Sequence, residues 1–294
     1  MKANPWVLAI RPKTLPAAIA PVLIGTSMAL GDGVGHWPSA LAAGFGALTI
    51  QIATNLVNDY CDFKKGADTA DRQGPVRVTQ AGLIKPQAVL LAAVFFFLFS
   101  ALACVYLVSR AGMAIAVIGV ASILSGIFYT AGKRSLGYIG LGDIFVLFFF
   151  GPIAVAGTYF VQSLELNWAV VAAGLGPGFL SVAILAVNNL RDLETDRRAG
   201  KLTLAVRFGR AFAVQEYLFC ILMAVITPFL VVLITNDHKA VALAALAGFA
   251  AIPLVQTVFT SLDGQALNRV LAATGQLLLA YSFLFSLGWL VCFR

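Results

Sequence analysis

The chain has 294 residues, of which 60% are hydrophobic and 11% are charged. Ordinary soluble domains contain about 25% charged residues, so this composition excludes that class. The mean hydropathy of +0.91 indicates a polytopic membrane protein instead. The net charge of +7 comes without a basic helix or an aromatic platform, and we expect no nucleic-acid partner.

The chain contains about nine apolar stretches that are long enough for transmembrane helices, since a helix needs about 20 apolar residues to cross the hydrocarbon core. We therefore expect an all-α fold: a single domain over residues 1–294 that forms a bundle of about nine helices in the lipid bilayer. The loops at 61–87 and 191–211 are expected to form a cytoplasmic cap. In chain order the stretches lie near residues 15–31, 38–60, 88–108, 111–131, 139–161, 168–190, 212–235, 240–261 and 270–292.

The positions of the basic residues predict the orientation of this bundle. If the N-terminus is cytoplasmic, all but three of the 20 Lys and Arg residues fall on the cytoplasmic side. The exceptions are Arg110, Lys239 and Arg294. Because positive residues in short loops are retained in the cytoplasm, we expect a multi-pass protein of the cell (inner) membrane with a cytoplasmic N-terminus.

Two short acidic clusters, each at the end of a long apolar stretch, hold seven of the 13 Asp and Glu residues. Carboxylates beside a bilayer are costly to desolvate, so two matched clusters predict a shared ligand, most simply divalent cations that hold a polyanion. Both clusters fall on the expected cytoplasmic side. Their acidic members are Asp59, Asp62, Asp68, Asp71, Asp192, Glu194 and Asp196.

The spacing within the clusters favours a metal site over ordinary helix ends. Residues four apart lie near one face of a helix, which places Asn188, Asp192 and Asp196 together. Asn58 and Asp62 repeat this spacing, although the next position is Gly66. Mg²⁺ binds oxygen ligands and shares substrate phosphates with one or two protein carboxylates, so such sparse aspartates predict two Mg²⁺ ions that hold a diphosphate.

These residues carry a resemblance to the UbiA superfamily of intramembrane prenyltransferases, which have nine transmembrane helices and two motifs of the pattern NxxxDxxxD. The resemblance covers nearly the whole chain and is closest to the branch that prenylates 1,4-dihydroxy-2-naphthoate in menaquinone synthesis. In that branch Gly66 followed by Asp68 is usual. The similar segments read RPKTL from residue 11, NDYCDFKKGADTADRQGPVRVTQAG from residue 58 and NNLRDLETDRRAGKLTLAVRFG from residue 188.

The resemblance implies a Mg²⁺-dependent prenyltransferase that faces the cytoplasm. Its donor would be a polyprenyl diphosphate and its acceptor 1,4-dihydroxy-2-naphthoate, with loss of carbon dioxide to give demethylmenaquinone. The implied catalytic and metal-binding aspartates are Asp62, Asp192 and Asp196. Asp59 and Asp68 are further expected metal ligands, and the amides of Asn58 and Asn188 are expected to contact substrate.

Basic and aromatic residues beside the motifs are expected to bind the substrates, because guanidinium and ammonium groups pair with diphosphate. Lys133 is the basic residue that we expect to act in catalysis, since the superfamily carries a similar tyrosine and basic pair after its fourth helix. Arg11 and Lys13 are candidates for either the diphosphate or the acceptor carboxylate. The other expected substrate contacts are Arg72, Arg77, Arg134, Tyr60 and Tyr129.

Three other functions are compatible with part of this pattern. A UbiA-type enzyme with another aromatic acceptor, such as 4-hydroxybenzoate or homogentisate, would share the metal site. A phosphatidyl-alcohol transferase carries one continuous motif, whereas here two motifs lie far apart. A cation-coupled transporter would place ionisable residues on broken helices near the bilayer midplane, and here they cluster at one surface.

Overall fold

The computed structural model describes residues 4–67, 74–132 and 134–291. Within these ranges all regular secondary structure is helical, which confirms the expected all-α class. Two short 3₁₀ helices, Pro12–Thr14 and Lys239–Leu246, accompany the α-helices. The α-helices are α1 (Pro5–Ile10), α2 (Pro16–Gly31), α3 (Trp37–Lys64), α4 (Pro86–Ala111), α5 (Met113–Phe128), α6 (Gly142–Phe149), α7 (Pro152–Ser163), α8 (Trp168–Ala173), α9 (Leu175–Arg191), α10 (Leu193–Arg198), α11 (Leu204–Thr235), α12 (Ala247–Thr260) and α13 (Gly264–Val291).

Seven helical segments of the described residues are long and apolar enough to cross a membrane. An eighth results if the segments Pro5–Thr14 and Pro16–Gly31, bent by 49°, form one span. The expected stretch at 111–131 corresponds to α5, which is apolar but has only 16 residues, so the count of nine stays a prediction. The seven are Trp37–Lys64, Pro86–Ala111, Gly142–Ser163, Trp168–Arg191, Leu204–Thr235, Lys239–Thr260 and Gly264–Val291.

The outer face of α4 shows why these helices need lipid around them. Leu91, Leu98, Leu102 and Val105 recur at helical spacing, and each is at least 60% exposed. Leaving such side chains in water costs about 25 cal/mol per Å² of apolar surface, whereas hydrocarbon solvates them. Phe95 is exposed on α4 as well. At least part of the aromatic run at 95–97 therefore faces lipid.

Two of the spans are broken, and they touch at their breaks. Gly151 separates α6 from α7, and Gly174 separates α8 from α9. A Cβ on Gly151 would lie 2.7 Å from the carbonyl oxygen of Gly174, and a Cβ on Gly174 would lie 2.5 Å from Cα of Pro152. Only glycine allows backbones to approach so closely. The contact fixes α9 against α6 and α7.

The helices enclose a space in the centre of the bundle. α3 packs along α4, α9 packs along α11, and α13 packs against both α2 and α9. A buried apolar core fills the contacts among α2, α9, α11 and α13, with Ile24, Met28, Tyr217 and Phe285 almost fully buried. On the other side of α2 and α9 a cavity remains, with walls from α2, α3, α4, α5, α6, α7 and α9.

Three segments cover one end of this cavity, and we call them the cap: residues 74–85, the described part of 129–141, and 192–203. The sequence predicted the first, but it predicted a loop for 191–211. That prediction was wrong in part, because the region contains α10 and the start of α11, which kinks at Gly209. Residues 129–141 were not expected in the cap. The backbone N–H of Leu202 donates to the carbonyl of Tyr138 at 2.9 Å and joins two of the segments.

Candidate active site

The central cavity has a volume of about 370 Å³ and runs along one face of α3. Its lining on α3 extends from Ala43 to Asp62. These residues are 19 positions apart, or about 28 Å at the helical rise. Towards Ala43 the walls are small or apolar, whereas polar side chains gather near Asp62. The polar lining includes Arg11, Thr14, Gln51, Asn55, Asn58, Asp62, Arg77, Tyr129, Tyr138, Asn188 and Lys201.

The first acidic motif forms the wall at the polar end. Asn58 and Asp62 lie one turn apart on α3 and both line the cavity, as their spacing predicted. The Asp62 carboxylate accepts a hydrogen bond from the Tyr138 hydroxyl at 2.9 Å and pairs with Arg77 at 3.3 Å. The hydroxyl of Thr130 donates to the side-chain oxygen of Asn58. Two cap segments are thus attached directly to this motif.

Asp59 has a different environment from Asp62, although only two residues separate them. Its two carboxylate oxygens accept hydrogen bonds from the backbone N–H groups of Val78 and Thr79, at 3.2 and 3.1 Å. The residue is 1% exposed and does not belong to the cavity lining. Both oxygens therefore hold the cap segment 74–85 onto α3, and metal binding by Asp59 stays a prediction.

The spacing of the second acidic motif predicted one continuous helix, but in the structure this helix is interrupted. α9 ends at Arg191; the next residue, Asp192, has φ and ψ of −93° and 9°, which are not helical, and α10 begins at Leu193. The backbone N–H groups of Asp192 and Asp196 still donate to the carbonyls of Asn188 and Asp192, at 3.1 and 2.8 Å, so the expected shared face of these three residues stays a prediction. Asn188 lines the cavity, while Asp192 and Asp196 lie buried behind it and outside its lining.

Each of the three principal aspartates pairs with a cation. Arg191 binds Asp192 through two nitrogens, at 2.8 Å and 2.6 Å, and its guanidinium also donates to Asn188 at 2.8 Å. Lys201 lies 3.4 Å from Asp196. With the pair of Arg77 and Asp62, the charges of the aspartates are balanced within the protein, as buried charges require.

Tyr138 and Lys201 are site residues that the sequence did not single out. Besides its bond to Asp62, Tyr138 carries the ammonium of Lys65 3.8 Å above its ring and that of Lys201 5.8 Å away. Burial lowers the pKa of Lys65. The sequence could have indicated Tyr138 as a site residue, because Tyr138, like Tyr129, is an aromatic residue in a polar loop. Its partner Asp62 is distant in sequence, so spacing did not reveal the contact.

A family model described as the UbiA prenyltransferase family matches residues 18–277. The chain belongs to the UbiA prenyltransferase family. This confirms the resemblance that the two motifs suggested. The match includes both Asn58–Asp62 and Asn188–Asp196, so the cavity described above lies between the two motif regions of a family member.

Relatives and solved structures agree with this assignment. A protein of Mycobacterium tuberculosis named 1,4-dihydroxy-2-naphthoate octaprenyltransferase is 40% identical over 230 residues, which cover 78% of each chain. A protein of the same name from Haemophilus influenzae is 35% identical and covers 99% of this chain and 97% of its own. A UbiA homologue from Archaeoglobus fulgidus, bound to DMAPP and Mg²⁺, has the same fold with a TM-score of 0.64, 15% identity and coverage of 97% and 99%.

The other predicted substrate contacts of this UbiA-family chain fall into three groups. Arg11 and Tyr129 line the cavity, and burial raises the pKa of Tyr129, which keeps its hydroxyl neutral. Lys13, Arg134 and Tyr60 do not line it; Lys13 and Arg134 are exposed. Three residues lie outside the described ranges, and their roles stay predictions: Asp68, Arg72 and Lys133.

Sequence reasoning also missed a buried polar cluster deeper in the cavity. Asn55 donates to the carbonyl of Ile10 at 2.9 Å and to the hydroxyl of Thr14 at 3.1 Å, and Gln51 donates to the same hydroxyl at 3.4 Å. Gln51 and Asn55 are 8% and 4% exposed. Buried amides are costly to desolvate, and these hydrogen bonds offset that cost and attach residues 10–14 to α3.

Proposed function

We propose that this protein transfers a polyprenyl group from polyprenyl diphosphate to 1,4-dihydroxy-2-naphthoate, with decarboxylation, to give demethylmenaquinol, the reduced form of demethylmenaquinone. The observation that carries the proposal is the long cavity whose polar end holds Asn58 and Asp62 opposite Asn188. Its shape and lining fit a substrate with an anionic head and an apolar tail. The acceptor follows from the M. tuberculosis and H. influenzae relatives, which both carry the dihydroxynaphthoate name.

The residues at the polar end fit Mg²⁺. Among the described residues no three His, Cys, Asp or Glu side chains converge on one point, so a closed site formed by protein ligands alone is not present there. Mg²⁺ is typically held by one or two carboxylates together with substrate phosphates, and the motifs offer oxygen donors only. We assign Asp62 and Asn58 to one ion and Asp192 and Asn188 to a second, with Asp196 in support.

Bound Mg²⁺ supplies positive charge that offsets the charge of the departing diphosphate. Arg77 and Lys201 lie in the same polar lining, where they reach the diphosphate from the cap. The bond between the allylic carbon and oxygen breaks, and its electron pair goes to the diphosphate. The neutral Tyr129 hydroxyl donates a hydrogen bond at the diphosphate end of the cavity. The cap excludes water from the allylic cation.

The acceptor carbon that bears the carboxylate then attacks the allylic carbon. Its bond to the carboxylate breaks, carbon dioxide leaves, and that electron pair restores the aromatic ring. The step needs no net proton transfer. We place the acceptor at Arg11, Gln51 and Asn55, because Arg11 is a partner for the carboxylate and the amide oxygens can accept from the two hydroxyl groups.

The apolar part of the cavity is assigned to the polyprenyl tail. Small residues of α3, such as Ala43 and Gly46, leave room there, and Phe149 and Phe150 form part of the opposite wall. We further propose that the multi-span bundle lies in the inner membrane with the cap towards the cytoplasm. The distribution of Lys and Arg supports this orientation.

Two substitutions test the assignment of the metal ligands. Asp62→Asn and Asp192→Asn keep the side-chain size but remove one negative charge each, so turnover should fall to background while the folded protein remains in the membrane. Glu165→Gln is the matched control, because it removes an exposed carboxylate remote from the cavity. Rates near the wild-type value in both aspartate variants would contradict the assignment.

A further inference from the structure

A second cavity, of about 510 Å³, lies beside the second acidic motif and outside the central one. Its walls come from the end of α9, from α10, from the first turns of α11 and from the junction of α12 with α13. Three arginines, one glutamate, one threonine and four leucines line it: Arg191, Arg198, Arg210, Glu194, Thr195, Leu190, Leu193, Leu262 and Leu267. We call this cavity the arginine pocket. A lining that combines three arginines with four leucines suits an amphipathic anion.

The charge in the arginine pocket is positive and partly fixed in place. Arg210 donates through one nitrogen, Nη2, to the carbonyls of Val258 and Ser261 at 3.0 and 2.8 Å, which holds its guanidinium at the wall. Within the described residues, neither Arg198 nor Arg210 forms an ion pair. The carboxylate of Glu194 pairs at 2.9 Å with Arg197, which lies outside the lining.

The apolar side of the pocket places it at the surface of the bilayer. Leu262, at its edge, is 77% exposed and lies two residues beyond the end of α12. Phe259, one turn earlier in the chain, is 49% exposed, and Phe208 at the start of α11 is 62% exposed. Exposed apolar side chains at the ends of membrane-spanning helices lie where lipid headgroups meet acyl chains.

We propose that the arginine pocket binds the phosphate headgroup of an anionic phospholipid. Arg198 and Arg210 pair with the phosphate, and the upper part of an acyl chain packs against Leu262 and Phe259. Basic pockets between transmembrane helices are suited to anionic headgroups, whereas a soluble phosphate compound gains nothing from the apolar edge. This binding is independent of the proposed reaction.

The position of Arg191 connects this pocket to the second acidic motif. Its guanidinium forms part of the pocket wall, and it also binds Asp192, Asn188 and, at 2.7 Å, Asn268. A lipid phosphate beside Arg191 therefore restricts the segment on which Asn188 and Asp192 lie. We expect bound anionic lipid to raise the thermal unfolding midpoint even when donor, acceptor and Mg²⁺ are absent.

The test titrates the purified full-length protein in detergent with phosphatidylglycerol or phosphatidylcholine and follows the unfolding midpoint. Phosphatidylglycerol should raise it at low lipid concentration and phosphatidylcholine should not. Arg198→Gln should raise the half-saturating phosphatidylglycerol concentration about five-fold, the effect expected for one arginine near a headgroup. Arg269→Gln is the matched control: it removes the same charge from an exposed residue of α13 outside the lining, and it should behave as wild type.

Two outcomes would overturn the proposal. Equal responses of wild type, Arg269→Gln and Arg198→Gln would mean that general surface charge, and not the pocket, attracts the lipid. In a second arm, inorganic diphosphate is added without Mg²⁺. If it abolishes the effect of phosphatidylglycerol in wild type, the pocket takes free phosphate compounds, and the assignment to lipid is wrong.

Discussion

Replacement of Tyr138 by Phe tests whether this residue orients the Asp62 carboxylate. The change removes the hydroxyl that donates to Asp62 at 2.9 Å and keeps the ring beneath the ammonium of Lys65. A hydrogen bond to a charged group contributes about 1.5–3 kcal/mol. Because Tyr138 is only partly buried, we take the lower limit. A loss of about 1.5 kcal/mol corresponds to a decrease of about ten-fold in kcat/KM for the polyprenyl diphosphate.

The assay measures initial rates against donor concentration at several Mg²⁺ concentrations, in membranes that contain equal amounts of each variant. Tyr60→Phe is the matched control, because Tyr60 lies near the same end of α3 but outside the cavity lining, with Lys64 5.9 Å from its ring. It should retain the wild-type rate. If Tyr138→Phe matched wild type, or if Tyr60→Phe lost as much activity, the orienting role of Tyr138 would be refuted.

Two further substitutions separate attachment of the cap from recognition of the acceptor. Asp59→Ala leaves two buried backbone N–H groups without their acceptor, at a cost of about 1–3 kcal/mol, so the thermal unfolding midpoint should fall. Loss of activity with an unchanged midpoint would instead favour metal binding by Asp59. Gln51→Leu should raise KM for dihydroxynaphthoate about ten-fold and leave KM for the donor unchanged, since the lost hydrogen bond lies at the acceptor end. Ser100→Ala, in the same cavity but bonded within α4, should alter neither KM value, and an equal rise of both KM values in Gln51→Leu would contradict the assignment.

The class of the fold was predictable because the bilayer imposes it. Long apolar stretches must form helices in hydrocarbon, since only internal hydrogen bonds satisfy the backbone there. The breaks within the spans were not predictable in the same way. Gly151 and Gly174 do not differ from other glycines in the sequence. Their role becomes clear only from the contact between two helix breaks that are distant along the chain.

The side-chain environments of the acidic motifs were also only partly predictable from the sequence. Helical spacing correctly placed Asn58 and Asp62 on one cavity wall. It gave no reason to separate Asp59 from Asp62, because Asp59 is held by backbone groups of residues 78 and 79. It also extended one helix through Asp192, where the chain turns. Contacts of the cap, which form only in the folded protein, decide both cases.

The missed site residues follow from long-range contacts as well. Tyr138 reaches Asp62, and Gln51 and Asn55 reach Thr14, across 76, 37 and 41 residues respectively. Local patterns carry no information about such pairs. What the sequence did supply was the chemistry of the site, because it contains carboxylates and amides, which are oxygen donors, at the ends of two apolar stretches.

The most direct test of the proposed reaction is a product assay on membranes that contain this protein, with polyprenyl diphosphate and either 1,4-dihydroxy-2-naphthoate or 4-hydroxybenzoate. Each mixture is run with Mg²⁺ and with excess EDTA. We predict a prenylated, decarboxylated naphthoquinol from dihydroxynaphthoate that forms with Mg²⁺ and is absent with EDTA. Product from 4-hydroxybenzoate alone, or no product from either acceptor, would contradict the proposed function.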